Sequence, residues 1–181
     1  MDKEVLFAGE FIIGAETSTL QAQQICDFLE KYLYNGNIAP QLGFPRDKET
    51  FLLSAFTAIK HKKAIVCYQP TERERGLAGA LLYCPTGRTF DGGKTISSGI
   101  HISDFAVASE LASTPERKGR GIGRAIMTYL EAEALSQNRT FISLSPSETS
   151  IPFYNRLDFS PVPLSGHSYD YSMIKHLHPQ Q

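Results

Sequence analysis

The sequence has few cysteines, no long apolar run and no long basic block. Its three cysteines, Cys26, Cys67 and Cys84, are odd in number and widely spaced, so they form neither a disulfide framework nor a metal-binding motif. No stretch approaches the ~18 apolar residues of a membrane span, and the first ten residues lack the apolar core of a signal peptide. We therefore expect a cytoplasmic protein without a membrane partner.

The charge balance argues against a polyanionic partner. The formal net charge is -1 at pH 7, and a protein that binds nucleic acid usually carries a strongly basic surface. Basic residues do crowd locally, at Arg117, Lys118, Arg120 and Arg124. This pattern favours a small anionic ligand and no nucleic-acid partner.

The length and composition are those of one soluble domain. A chain of 181 residues with 41% hydrophobic and 20% charged residues can bury a sizeable core without needing a second domain. We therefore expect residues 1–181 to form a single domain. The sequence leaves the oligomeric state open, a homodimer included.

The N-terminal half predicts strands and helices in alternation. An apolar run at residues 11–14 predicts a strand, and Ile25, Phe28, Leu29 and Tyr32 lie at the spacing of an amphipathic helix. A second helix is expected after Asp47, with residues 34–46 as a long loop between the two helices. Two further strands, at residues 64–68 and 77–83, form a plausible hairpin, and the Gly-, Thr- and Ser-rich stretch 85–99 is expected to be a loop.

The C-terminal half predicts a strand, a glycine-rich loop and a helix in succession. A long and bulged strand is expected over residues 100–113, and the helix begins at Gly121, since apolar residues recur there at helical spacing. The remaining predictions are a strand at 140–144, a short helix at 148–156 capped by Ser147, and two strands near 159–164 and 169–174. The fold class is thus mixed α/β.

The glycine-rich loop is the most informative part of the sequence. It reads Lys118-Gly119-Arg120-Gly121-Ile122-Gly123-Arg124. A helix N-terminus offers unpaired backbone N–H groups and the positive end of the helix dipole, and glycines allow the main chain to approach phosphate oxygens. The spacing fits neither the P-loop, which ends in Gly-Lys-Ser/Thr, nor the dinucleotide fingerprint, because position 126 is isoleucine. We therefore expect a pyrophosphate-binding loop, with Lys118 and Arg124 contacting phosphate.

This loop resembles the coenzyme A loop of the GNAT acetyltransferase superfamily, Gln/Arg-x-x-Gly-x-Gly/Ala. A second segment, from Phe153 to Phe159, is similar to the family's Phe-Tyr-x-x-x-Gly-Phe. The resemblance covers roughly residues 100–175. Three positions depart from the family pattern: Lys118 stands at the first loop position, Asp158 replaces the usual glycine, and Ser147 replaces an asparagine that commonly contacts the cofactor.

The resemblance implies a fold, a cofactor and a reaction. The implied GNAT fold is a central mixed, mostly antiparallel sheet flanked by helices, and the implied cofactor is acetyl-CoA. By register with the family, Leu111, Ala112 and Ser113 would pair with the pantetheine arm, and Ser147 would stand near the cofactor. The implied activity is transfer of an acetyl group from acetyl-CoA to a primary amine of a small molecule or peptide, by direct attack in a ternary complex.

Two proton transfers accompany this reaction, because the attacking ammonium must lose a proton and the departing thiolate must gain one or be stabilised. The resemblance implies Tyr154 as the acid, since the matching tyrosine of the family points its hydroxyl at the thioester sulfur. Glu110, directly before the cofactor-facing segment, is the candidate base. Asp104, His101 and His167 are the alternatives.

A second class of function is consistent with the glycine loop. A non-catalytic acyl-CoA-binding module that regulates a partner would keep the loop but would need neither Tyr154 nor a base. The presence of Tyr154 favours the enzyme. The identity of the acceptor amine is not readable from the sequence.

Overall fold

The computed structural model describes residues 5–7, 11–16, 19–34, 64–70, 75–91, 94–108, 121–162 and 172–178. Within these ranges the chain forms one sheet of eight strands with three α-helices. None of these helices has both the length and the apolar content that a bilayer span would need.

The sheet is antiparallel except at one pair of strands. Its strands are β1 (Val5–Phe7), β2 (Phe11–Glu16), β3 (Ala64–Pro70), β4 (Arg75–Asp91), β5 (Lys94–Val107), β6 (Phe141–Leu144), β7 (Ser160–Val162) and β8 (Ser172–His176). Their order across the sheet is β1-β2-β3-β4-β5-β6-β8-β7. Among the described strands, β5 and β6 are the one parallel pair. The predicted mixed, mostly antiparallel sheet is confirmed.

Three α-helices are described beside the sheet. They are α1 (Thr19–Leu29), which continues into a π-helical turn (Glu30–Tyr34), α2 (Ile122–Ser136), and α3 (Ile151–Asn155), which follows a 3-10 turn (Glu148–Ser150). Parallel neighbours require a crossover connection, and α2 lies in the one between β5 and β6.

Helices α1 and α2 cover opposite faces of the sheet, and each buries one apolar stripe against its face. Helix α2 buries Ile122, Ile126, Met127, Leu130 and Ala134 against one face. Helix α1 buries Ala22, Ile25, Cys26, Phe28 and Leu29 against the other face. The two clusters of buried residues share no member, so the sheet separates an α1 face from an α2 face.

The expected loop at residues 85–99 is wrong. Strand β4 extends to Asp91 and β5 begins at Lys94, and the two pair along this stretch with irregularities near Gly87. Threonine and serine are compatible with a pleated strand, and a two-residue Gly-Gly sequence at 92–93 is a hairpin signal. The high content of small polar residues therefore marks a hairpin in this chain.

The other predicted elements fall into two groups. The strands around residues 11–14, 64–68, 77–83 and 140–144, the helix after Gly121, the short helix before Arg156 and the two C-terminal strands are confirmed. The predicted loop at 34–46 beyond residue 34, the helix after Asp47 and the strand residues 109–113 lie outside the described residues.

One tight contact between neighbouring strands fixes the register of β5 and β6. Gly99 is paired with Phe141, and a Cβ atom added at Gly99 would run into the Phe141 ring, which is itself fully buried. A buried aromatic ring has little room to move, so any side chain at position 99 would be overpacked.

We expect Gly99→Ala to lower the free energy of unfolding by about 1–3 kcal/mol, the usual cost of overpacking. The matched control is Gly76→Ala, because nothing lies within 4 Å of a Cβ atom added at Gly76. Urea denaturation of both variants measures the difference. Equal stability of the two variants would contradict the described packing.

Candidate active site

The parallel strands β5 and β6 are hydrogen-bonded along only part of β5. Their pairing runs from Gly99 with Phe141 to Ile102 with Leu144, while β5 continues to Val107. In the described residues the edge of β5 that faces β6 is therefore unpaired beyond Ile102. Clefts at the carboxyl ends of parallel strands are the usual ligand sites of such sheets.

A β-bulge in β5 lies at the point where this pairing stops. Leu82 of β4 pairs with Asp104 and Tyr83 pairs with Ile102, so Ser103 is the extra residue. The bulge reverses the alternation of side chains: Ile100 and Ile102 belong to the α2 face, and after the bulge it is Phe105 and Val107 that do so. Ser103 Oγ donates to the Leu82 carbonyl across 3.3 Å. The bulged strand that the sequence predicted is confirmed, and its bulge reorients the strand beside the gap.

The first turn of α2 has backbone amides without helical partners. Gly121 is the N-cap residue, with φ 73° and ψ 12°, a left-handed conformation that favours glycine. The first intrahelical bond runs from Ala125 N–H to the Gly121 carbonyl at 2.7 Å, which leaves the earlier amides without helical partners. In the described part of the chain no side chain caps these amides.

The charges of this turn also favour an anionic ligand. The turn has no acidic residue that could take the place of an external anion, and it carries the exposed Arg124. A cation at a helix N-terminus opposes the helix dipole, so Arg124 is unfavourable there unless an anion lies nearby. Helix dipole, open amides and guanidinium together favour a phosphate-bearing ligand.

Four aromatic rings beside this turn connect β5 to α3 and to Phe159, the residue before β7. The ring centroids of Phe105 and Phe153 lie 6.0 Å apart, those of Phe153 and Tyr154 lie 5.1 Å apart, and those of Tyr154 and Phe159 lie 5.6 Å apart. A Cβ atom added at Gly123 would lie 3.2 Å from the Phe153 ring. Glycine at position 123 therefore allows α3 to pack directly on the first turn of α2.

Tyr154 lies in this aromatic wall, with 6% of its surface exposed. Burial raises the pKa of its phenol well above the ordinary value, because the ionised form would lose its hydration. Its hydroxyl makes no hydrogen bond to another described residue. The site therefore contains a phenol that stays protonated at neutral pH and has a hydroxyl able to donate.

The chain reverses direction after α3 through a Schellman motif. Asp158 N–H donates to the Asn155 carbonyl at 3.2 Å, and Phe159 N–H donates to the Tyr154 carbonyl at 3.2 Å. Asp158 takes the left-handed position, with φ 64°. This explains why the GNAT motif usually has glycine at the position of Asp158, and it confirms that aspartate adopts the conformation.

Ser147 is the N-cap residue of the turn that begins at Glu148, as the sequence predicted, but its side chain makes no capping hydrogen bond. Its hydroxyl lies 3.2 Å from Thr149 Oγ1 and 3.1 Å from Ser150 Oγ, while the Ser147 carbonyl accepts from Ser150 N–H and from Ser150 Oγ. The cluster of three hydroxyl groups replaces the expected cap. A contact of Ser147 with the cofactor would have to compete with these bonds.

The predicted site residues divide into two groups. Gly121, Ile122, Gly123, Arg124, Ser147 and Tyr154 are described, and contacts through Gly123 and Phe153 connect the first turn of α2 to the wall that holds Tyr154. Glu110, Leu111, Ala112, Ser113, Lys118, Gly119 and Arg120 lie outside the described residues, as does the alternative base His167. Phe105 was not singled out from the sequence, and the position of the predicted bulge, at Ser103, was not specified.

Replacing Asp158 by glycine tests the geometry of this turn. We expect Asp158→Gly to raise the free energy of unfolding by up to about 1 kcal/mol, because glycine adopts the left-handed conformation without a Cβ penalty. Asn155→Gly, three residues earlier in α3, should lower it by about 1 kcal/mol. Thermal unfolding compares the two, and a loss of stability in both would refute the assigned conformation of Asp158.

Comparisons with known proteins agree with this geometry. Residues 85–161 match the family model described as an acetyltransferase (GNAT) domain. The chain is 32% identical over 95 residues to glucosamine 6-phosphate N-acetyltransferase of Trypanosoma brucei brucei, in an alignment that covers 52% of this chain and 56% of that protein. The chain thus matches little more than half the length of this curated relative.

Solved structures show the same fold. An acetyltransferase of the GNAT family from Listeria monocytogenes superposes with a TM-score of 0.66 at 15% identity, covering 97% of this chain and 100% of that one. Polyamine N-acetyltransferase of Drosophila melanogaster superposes with a TM-score of 0.61 at 13% identity, covering 93% and 100%. The resemblance found in the sequence is confirmed: the chain has the GNAT fold, and its residues 85–161 match the GNAT acetyltransferase family model.

Proposed function

We propose that this protein is an acyl-CoA-dependent N-acetyltransferase that transfers an acetyl group from acetyl-CoA to a primary amine. The observation that carries the proposal is the open N-terminus of α2, located at the gap between β5 and β6 and packed against the wall that holds Tyr154. GNAT enzymes use acetyl-CoA as co-substrate. The proposed reaction is direct attack within a ternary complex.

The described residues fit coenzyme A at its phosphate end. The open amides of Ile122, Gly123 and Arg124 are donors for a pyrophosphate, and the Arg124 guanidinium adds a positive charge. The proposed loop is completed by the three residues that precede Gly121, which are Lys118, Gly119 and Arg120. Leu111, Ala112 and Ser113 are proposed to pair with the pantetheine arm, and Ser147 to lie beside the cofactor.

Bound acetyl-CoA supplies the thioester carbonyl that the amine attacks and the thiolate that departs. A phenol has a reference pKa of ~10 and a cysteine-type thiol ~8.5, and burial raises the pKa of Tyr154 further. Complete transfer of the phenol proton to a thiolate is therefore uphill. We assign Tyr154 the role of donating a hydrogen bond to the charge that develops on sulfur, which lowers the barrier without a full ionisation.

The acceptor is proposed to be a primary amine of a small molecule or peptide. Because the Trypanosoma relative carries the name glucosamine 6-phosphate N-acetyltransferase, an amino sugar phosphate is the first acceptor to assay. A panel with amino acids, arylalkylamines, polyamines and a peptide with a free N-terminus covers the other classes. Release of free thiol reports turnover, and Cys67 contributes little background because burial raises its pKa to about 12.

We predict that Gly121→Val weakens coenzyme A binding at least about tenfold, equivalent to ~1.4 kcal/mol. A β-branched residue is strained at a positive φ and would obstruct the approach of phosphate to the amides. Isothermal titration with coenzyme A measures the dissociation constant, and Gly76→Val on an open part of β4 is the matched control. If folded Gly121→Val binds like the wild type, the loop assignment is wrong.

We predict that Tyr154→Phe lowers kcat about 100-fold or more, as loss of a donor to developing charge does, with little change in coenzyme A affinity. Tyr83→Phe is the matched control, since Tyr83 is also buried on the α2 face but its phenol interacts with Gln137 at the far end of α2. Because the pKa of Tyr154 is raised, any alkaline limb of kcat below pH ~10 should persist in Tyr154→Phe. A kcat within about twofold of wild type would remove Tyr154 from the mechanism.

A further inference from the structure

Phe105 is the largest side chain that the described part of β5 carries on the α2 face beyond its pairing with β6. That pairing stops at Ile102. After the bulge at Ser103, Phe105 and Val107 pack against the cluster on the α2 face. Phe105 is only half-buried, whereas its neighbour Ala106 is buried on the α1 face. An apolar ring with exposed surface therefore borders the unpaired edge of β5.

Contacts on two sides fix the position of this ring. The ring centroids of Phe105 and Phe153 lie 6.0 Å apart. A Cβ atom added at Gly123 would lie 3.6 Å from Cζ of Phe105, so the ring also reaches the first turn of α2. Phe105 itself pairs with Leu81 of β4, which is fully buried. The ring therefore projects from a part of the sheet that has little freedom to shift.

The aromatic wall is closely packed on the other side of Tyr154. The ring centroids of Tyr154 and Phe159 lie 5.6 Å apart there, and Phe159 is 3% exposed. Leu144 and Met173 belong to the same buried cluster. Close-packed side chains yield little, so an added methylene among them would be overpacked. A group that lies against Tyr154 therefore has to extend along the half-buried side of the wall, past Phe153 toward β5.

We propose that Phe105 limits the length of the acyl chain that the site accepts, so that acetyl-CoA reacts and donors as long as butyryl-CoA are excluded. The inference rests on the proposed N-acetyltransferase function, in which Tyr154 donates to the departing sulfur. The acyl carbon is bonded to that sulfur, so a short acyl group lies beside the wall. A longer chain has to extend into the space that the Phe105 ring fills.

All acyl donors undergo the same bond changes, so a difference among them reports how well each chain fits. The amine nitrogen bonds to the acyl carbon, the carbon–sulfur bond breaks, and the proton that the nitrogen loses balances the charge of the departing thiolate. The products are an amide and free coenzyme A at every chain length. One methylene more or less in an apolar pocket changes kcat/KM by about 10- to 200-fold.

The test measures kcat/KM for acetyl-, propionyl- and butyryl-CoA with one amine found in the acceptor panel. In the wild type we expect kcat/KM to fall at least about tenfold from acetyl- to butyryl-CoA. Phe105→Ala should raise the ratio of butyryl- to acetyl-CoA at least about tenfold, because the shortened side chain leaves room for the added methylenes. Phe105→Leu should raise the ratio less. If Phe105→Ala does not fold, Phe105→Leu alone decides, since it keeps an apolar side chain but removes the ring.

The ratio of donors separates a limit on acyl length from a general loss of packing. The matched control for Phe105→Leu is Phe28→Leu, because Phe28 is buried in the cluster on the α1 face, on the opposite side of the sheet. A packing defect lowers kcat/KM for all donors by one common factor and leaves their ratio unchanged. Free coenzyme A carries no acyl group, so its dissociation constant in each variant measures cofactor binding separately from the acyl site.

Two results would overturn the inference. Wild-type kcat/KM for butyryl-CoA within about threefold of that for acetyl-CoA, or a donor ratio in the Phe105 variants equal to that of the wild type, refutes the role of Phe105 and leaves the proposed function standing. Absence of turnover with every donor and every amine, with coenzyme A bound, refutes the proposed function and the inference with it.

Discussion

The parallel pairing of β5 with β6 over four residues is the constraint on which the rest of the site depends. Parallel neighbours cannot be joined by a tight turn, so the chain between them must cross over, and α2 lies in that crossover. The crossover returns the chain along one face of the sheet, which brings the N-terminus of α2 to the carboxyl end of β5. Because the pairing stops at Ile102 and Leu144, the β6-facing edge of β5 beyond Ile102 is unpaired in the part of the chain that the structure describes.

Packing holds the open end in place from the α2 face. The aromatic wall from Phe105 to Phe159 connects β5, α3 and the start of β7, and glycine at position 123 allows Phe153 to approach α2 closely. The Schellman turn at Asp158 then directs the chain back to the sheet. These contacts are apolar or made by the backbone, so they position Tyr154 without a hydrogen bond from another described residue to its hydroxyl.

Local features of the site were predictable from the sequence, whereas relations between distant segments were not. The start of α2 at a glycine-rich turn and the positive φ of Asp158 follow from residue types at short spacing. The hydrogen bond between His101 Nδ1 and Ser143 Oγ depends on strand register across 42 residues, which no periodicity reveals. The hairpin through residues 85–99 was missed because small polar residues suit both loops and strands, and the Gly-Gly pair at 92–93 was the signal that distinguishes them.

We propose that the open amides at the start of α2 bind the pyrophosphate of coenzyme A. An amide-resolved NMR titration of the ¹⁵N-labelled protein with coenzyme A tests it directly. The amide signals of Ile122, Gly123 and Arg124 should shift saturably, with one common dissociation constant, while those of α1 on the opposite face should remain in place. Saturable binding that leaves these three amides unshifted would show that coenzyme A binds elsewhere on the protein.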